Sequence, residues 1–254
     1  MERNSIFRLA NKGILILLCF LVFYAKDIHG QKDSLFVLKP RKSILKENLI
    51  PLSLITLGTV VSSSQFERNF QKNVRNLVGN RFTTQIDNYT RHAPLVELLI
   101  ADIVGVPAKN HWFDQAKNWT ISWYVTDLIT FKLKDWVKKP RPDGYDNFSF
   151  PSGHTSYAFM NAEVLYNEFK GTSPWLAYSG YAFAGATAGL RIANNAHFLS
   201  DVMFSAGLAM LVTKLVYWLD PIISWNPFKK VKGVTFYPQR FDRERVGFYL
   251  SFRF

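Results

Sequence analysis

Residues 134–142 read KDWVKKPRP, residues 151–154 read PSGH, and residues 191–201 read RIANNAHFLSD. Each polar cluster borders an apolar run with helical spacing, and the rest of the chain is arranged around them. Lys134, Arg141 and Arg191 bring cations, His154 and His197 imidazoles, and Asp201 a carboxylate. That inventory suits binding a phosphate and passing it to a nucleophile. Pro140 and Pro142 stiffen the backbone around Arg141, as two parallel hydrogen bonds from one guanidinium to a phosphate require. Ser152 is placed to cap a helix whose first N–H groups attract an anion. Gly153 leaves room for close approach, and His154 stands where it can protonate a leaving oxygen.

Asp201 follows His197 by four residues, which on a helix puts both on one face. The spacing predicts that Asp201 accepts a hydrogen bond from one ring nitrogen of His197 and leaves the other free to attack. Taken singly, each cluster also has a bland reading: a solvated basic helix end, a plain cap, a stabilising i,i+4 pair. Their order and spacing carry the functional one.

The chain has 254 residues, a net charge of +12, 48% hydrophobic and 16% aromatic residues. It is long enough for one full core and too apolar for disorder. The basic balance suits nucleic acid, anionic lipid or phosphorylated substrates, and no nucleic-acid motif accompanies it. Mean hydropathy is −0.03, low for a protein with many membrane spans.

Arg3, Arg8 and Lys12 precede an apolar run over residues 13–25, as in an export signal. Residues 1–25 are read as a signal peptide or an uncleaved anchor, with cleavage after Ala25 or Gly30. Cys19, the only cysteine, lies inside that run, so a cleaved chain carries no thiol. Residues 26–48 read as a linker.

Helices are expected over 49–61, 66–78, 94–106, 112–134, 153–169, 175–190 and 197–219, with a loop over 138–151. Residues 66–78 are amphipathic and basic, suited either to an anionic membrane surface or to packing on the body. Trp112, Trp136, Trp175 and Trp218 fall near helix ends, as in an interfacial belt or an ordinary core. Residues 246–254 alternate with period two and predict a hairpin with residues 234–237, docked on the helices. The expected fold is an all-α bundle of about six core helices over 49–219, with a C-terminal extension over 220–254.

The three clusters resemble the signature of the type-2 phosphatidic acid phosphatase superfamily, which includes bacterial class A acid phosphatases and vanadium-dependent haloperoxidases. Lys134, Arg141 and Pro142 match its first part. Pro151, Ser152, Gly153 and His154 match the second, and Arg191, His197 and Asp201 the third. Leu190 departs from it, standing where the family has Ser. The resemblance implies a phosphohistidine mechanism without a metal or other cofactor. His197 is then the nucleophile, Asp201 orients it, and His154 protonates the leaving group. Lys134, Arg141, Arg191, Ser152 and Gly153 hold the phosphate oxygens.

Segments 49–61 and 94–106 are short for membrane spans. Three crossings after an exported residue 26 would also put Lys134 on the side opposite to the family's site. The reading is therefore an exported, membrane-associated or partly spanning enzyme of a bacterial-type envelope, facing the periplasm. Its expected partners are a phosphorylated lipid or small phosphoester and a membrane surface, not nucleic acid. The leading function is a phosphatase for phosphatidate-like lipids, lipid A or polyprenyl pyrophosphate. A soluble acid phosphatase, a haloperoxidase and a non-catalytic scaffold with a relic pocket are the alternatives.

Overall fold

The computed structural model describes residues 44–223, 225–228, 234–240 and 246–252. The expected signal segment lies outside the described residues, as does most of the expected linker. Among the described residues there are eight helices: α1 Ile44–Val61, α2 Gln65–Val78, α3 Asp87–Thr90, α4 Ala93–Val104, α5 Trp112–Val137, α6 Gly153–Phe169, α7 Pro174–Ala193 and α8 Leu199–Leu219. Strands β1 Val234–Arg240 and β2 Val246–Phe252 pair antiparallel, with Val234 opposite Phe252 and Arg240 opposite Val246. The chain is predominantly helical, as the spacing predicted.

α6 and α8 form the centre. α6 packs against α4, α5, α7 and α8, while α8 also takes α1 and α5. Leu98 and Ala101 of α4, Met160, Val164 and Phe169 of α6 and Ala209 of α8 make one apolar cluster. Ile55, Phe150, Phe204 and Leu208 make a second, beneath the 138–152 loop. α8 is long and apolar enough to cross a membrane, yet 72% of its apolar stretch is buried inside the bundle.

Two boundaries differ from expectation in ways that bear on the site. α8 begins at Leu199, so His197 precedes the helix rather than standing on it. α7 runs on to Ala193 and so includes Arg191 in its last turn. The one-turn helix α3 and the start of α1 at Ile44 were not foreseen.

α5 is polar inside and largely apolar outside, and α2 is polar inside with two large apolar side chains among its exposed ones. α5 buries Asn118, Ser122, Thr126 and Thr130, while Trp123, Tyr124, Leu128 and Phe131 are exposed beside an exposed Asp127. α2 buries Glu67 and Gln71 and exposes Phe66 and Leu77, the latter at 86%. The two apolar ends of the α2 stripe therefore do not pack on the body. Its polar flank does, because hydrogen-bond partners await it there. α2 leaves α1 through a bend of 95°.

α1 crosses α8 at very short range. A Cβ on Gly207 would stand 2.5 Å from the Pro51 carbonyl oxygen, and one on Gly58 2.7 Å from the Phe204 nitrogen. Both neighbours are backbone, so the helices themselves would have to part. Gly207→Val is expected to cost about 1–3 kcal/mol, read as a lower unfolding midpoint in detergent, while Gly185→Ala, which meets open space, leaves it unchanged.

Candidate active site

The three clusters meet at one end of the bundle. α5 ends in a left-handed Lys138, whose N–H donates to the Lys134 carbonyl at 3.0 Å. That turn leaves Lys134 near the helix end and carries the chain into the 138–152 loop. There Arg141 Nε donates to Asp146 Oδ1 at 2.7 Å, and Arg141 Nη1 to the Ala196 carbonyl at 3.2 Å, next to His197. Lys134 Nζ donates to the Phe148 carbonyl at 2.6 Å. Burial pushes the Lys134 pKa down to about 8, helped by the charges of Arg141 and Arg191. Three cations from three segments thus bear on one place.

The six-residue spacing between Arg191 and His197 has a structural cause. Asn195 takes the left-handed conformation, φ 59°, which Asn tolerates better than most residues. The chain turns back so that the Ala196 and His197 N–H groups reach the Arg191 carbonyl at 3.1 and 3.3 Å. Arg191 Nη1 pairs with the buried Asp87 at 2.7 Å, while its Nε is buried with no partner. A buried donor without an acceptor is costly unless a ligand supplies one.

Ser152 caps α6 as expected. Its Oγ accepts from the Thr155 hydroxyl at 3.0 Å, and its own N–H donates to Ser205 Oγ at 2.6 Å. Ser152 is buried and fixes the N-terminus of α6 through these bonds. Gly153 is where expected: an added Cβ would meet nothing within 4 Å, so the opening turn of α6 has free space in front of it. His154 Nε2 lies 2.8 Å from Asn88 Oδ1 and 3.3 Å from Arg91 Nη1. Burial, then Arg191 and Arg91, lower its pKa to about 3.

The expected hydrogen bond from His197 to Asp201 is corrected. Nδ1 of His197 donates to the Ser149 carbonyl at 2.7 Å and stands 3.8 Å from Asp201 Oδ2, too far for a hydrogen bond. The i,i+4 argument fails because His197 is not on the helix. Asp201 is also held elsewhere. Its Oδ1 accepts from Lys139 Nζ at 2.8 Å, and its Oδ2 from the Ser149 hydroxyl and from the Phe198 N–H at 2.8 Å. Asp201 therefore acts on His197 through Ser149 and through its charge. Burial alone would raise the Asp201 pKa, but Lys139 and His197 drive it far below the usual carboxylate range. Burial lowers His197 to about 4 against the pull of Asp201, so the imidazole is neutral at pH 7.

Lys139 was inside the first cluster but not singled out. Its Nζ also donates to both oxygens of Glu67, at 3.0 and 3.1 Å, and to Ser200 Oγ at 2.8 Å, and it is only 3% exposed. Glu67 Oε1 in turn accepts from the Ser200 hydroxyl. Glu67, Ser149, Asp87, Asn88 and Arg91 were likewise missed. Ser149 lies just before PSGH and is a near miss; the others belong to distant segments without a local signature.

The family model of the PAP2 superfamily matches residues 120–224, which contain all three clusters. A lipid A 1-phosphatase of Porphyromonas gingivalis is 32% identical over 200 residues, 74% of this chain and 41% of that protein. The chain therefore spans less than half the length of that curated relative. A transmembrane PAP2-type phosphatidylglycerolphosphate phosphatase of Bacillus subtilis has the same fold, with a TM-score of 0.50, 19% identity, and coverage of 71% of this chain and 99% of that one. LpxE of Aquifex aeolicus aligns at a TM-score of 0.45 and 19% identity, over 62% of this chain and 98% of that one.

Two outcomes follow from the buried charges of this PAP2 site. Lys139→Met strands Glu67 and Asp201 in the interior, so stability is expected to fall by about 3–5 kcal/mol, measured by denaturant unfolding. His197 binds its proton less readily folded than unfolded, so the unfolded chain gains protons first as pH falls. Its contribution is then a loss of stability between the ordinary pKa of 6.5 and about 4, worth at most about 3 kcal/mol. Comparing wild type with His197→Gln from pH 7 to pH 4, the substitution should flatten this part of the acid-side decline.

Proposed function

We propose that this PAP2 protein is a phosphoric ester hydrolase acting on a lipid phosphate of a bacterial-type envelope, through a phosphohistidine. The observation that carries the proposal is the state of His197. With Nδ1–H given to the Ser149 carbonyl, the Nε2 lone pair is left bare, on a neutral ring influenced by Lys134 and Arg191. Nε2 attacks phosphorus and forms an N–P bond as the P–O bond to the leaving group breaks. His154 supplies the proton that the leaving oxygen takes up, and binding a phosphate dianion beside it raises its lowered pKa. Water then cleaves the N–P bond and releases phosphate.

Lys134, Arg141 and Arg191 stabilise the charge that gathers on the equatorial oxygens, together with the open first turn of α6 at Gly153. The buried, unpartnered Nε of Arg191 is one donor that such an oxygen would satisfy. Ser152 keeps that turn in place. Asp201 holds the Ser149 hydroxyl and favours the positive charge that His197 acquires in the phosphorylated state. The residues present provide the charge stabilisation for this route without a cofactor.

The lipid assignment rests on the apolar outer surface and on the similarity to a lipid A 1-phosphatase. α4 exposes Ile100, Ile103 and Val104, and α5 exposes Tyr124 and Phe131. Exposed apolar side chains on both helices fit a membrane-associated protein. A sugar 1-phosphate of lipid A is the substrate first to be tried, ahead of phosphatidate-like lipids and polyprenyl pyrophosphate. Periplasmic orientation belongs to the same proposal.

Phosphate release is to be measured with purified full chain and lipid A in detergent micelles, beside a short water-soluble phosphoester. Wild type should release phosphate from the lipid at a much higher kcat/KM, and His197→Ala should lose activity by a factor on the order of 10⁴ or more. Equal turnover of both substrates would replace the lipid assignment with a broad acid phosphatase. Release that survives His197→Ala would remove the phosphohistidine.

A further inference from the structure

At the end of the bundle opposite to His154 and His197, α1, α6, α7 and α8 enclose a cavity of about 610 Å³. Tyr166 of α6 stands on its wall, about 18 Å along the helix from His154. The volume lies within the range that holds one small ligand.

Part of the cavity lining is basic. Lys109, Lys170 and Lys214 all line it. Lys214 Nζ pairs with Glu163 Oε1 at 3.0 Å, and Tyr181 donates its hydroxyl to the other oxygen of Glu163. Lys109 and Lys170 form no ion pair with any described carboxylate. Lys170 Nζ donates to Asn167 Oδ1 at 3.0 Å. Lys170 and Lys214 lie 5.0 and 5.7 Å from the Tyr166 ring, and Lys109 lies 5.6 Å from that of Tyr217. Ring faces hold ammonium groups in position but do not neutralise them. The nearby Glu168 is occupied with the Asn110 amides and the Tyr217 hydroxyl, and Glu47 at the rim is exposed. Burial lowers the pKa of Lys170, and the charges of Lys109 and Lys214 lower it further, while those of Glu163 and Glu47 act the other way.

Apolar residues also line the cavity, Ile50 and Leu54 of α1 and Met210, Leu215 and Trp218 at the end of α8, where Lys214 stands one turn from Met210 and from Trp218. A bare inorganic anion would leave those residues uncovered, and an uncharged chain would leave the lysines unpaired.

We infer that this cavity is a second ligand site, separate from the PAP2 centre, which binds an anionic lipid by its phosphate head on Lys109, Lys170 and Lys214 and its chain along Ile50, Leu54, Met210 and Trp218. The inference is one of binding and assigns no chemical step to the site. It does not rest on the phosphatase reading.

The test uses the full chain in non-ionic detergent and a dodecylphosphonate carrying a photoreactive diazirine in its chain. Its C–P bond is not a phosphoester, so turnover at the PAP2 centre does not consume it. Crosslinks are expected in peptides covering residues 49–54 and 210–218. They should fall several-fold in Lys109→Ala/Lys170→Ala and return in Lys109→Arg/Lys170→Arg. On wild type alone, unlabelled dodecylphosphonate should compete the label away, while dodecanol at the same concentration should not. Label confined to residues 134–154 and 191–201, label indifferent to the alanine pair, or competition by dodecanol equal to that by the phosphonate would each overturn the inference. Displacement by inorganic phosphate at the concentration of the lipid probe would also overturn it, transferring the site to the free anion.

Discussion

Lys139 is the cation on which the site depends. It lies between Glu67 of α2 and Asp201 of α8, and its own backbone carbonyl accepts the Ser149 N–H at 2.9 Å. One ammonium thus ties an outer helix, the 138–152 loop and the central helix together. Removing such a group from water costs several kcal/mol, and only close, hydrogen-bonded partners repay it. Here the partners are two carboxylates and the Ser200 hydroxyl. Replacing any one of them leaves the others in an interior that cannot solvate them. The arrangement therefore favours one geometry of loop and helix over its neighbours more than it adds to net stability.

The same network accounts for the way α2 sits. Glu67 and Gln71 face inward because Lys139, Ser200, the Ile192 carbonyl and Asn195 offer them hydrogen bonds. Phe66 and Leu77 are left outside. In water that orientation would waste apolar area; against lipid it wastes none. α5 follows the same rule, with Asn118 and Ser122 inward and Tyr124 and Phe131 outward. Both helices fit a molecule whose polar side chains find partners chiefly in the interior.

Much of the fold was legible because helical periodicity and loop composition are local. The 138–151 loop and the ends of α6 could be read from Pro, Gly and the Ser152 cap. Lys134, Arg141, Gly153, His154, Arg191 and His197 could be read because their spacing reflects short turns, such as the left-handed Asn195 that returns His197 to the Arg191 carbonyl. Glu67 could not, since it reaches Ser200 across 133 residues of chain, and no local pattern encodes such a meeting. The orientation of α2 was left open between a membrane surface and the body for a related reason. A hydrophobic stripe shows which face is apolar, not which medium that face meets.

The displacement of Asp201 from His197 has a chemical consequence. A carboxylate in direct contact would favour the protonated imidazole and so reduce the neutral form that the proposed attack on phosphorus requires. Lys139 draws Asp201 toward itself and offsets part of its charge, while the Ser149 carbonyl, a neutral acceptor, fixes the tautomer. Burial then outweighs the remaining attraction, and the ring stays neutral. In the proposed route the ring becomes cationic when the N–P bond forms, and Asp201 at 3.8 Å is close enough to stabilise it. The buried lysine thus divides two tasks that a direct His–Asp pair combines: orientation falls to the Ser149 carbonyl, and stabilisation of the later positive charge falls to Asp201.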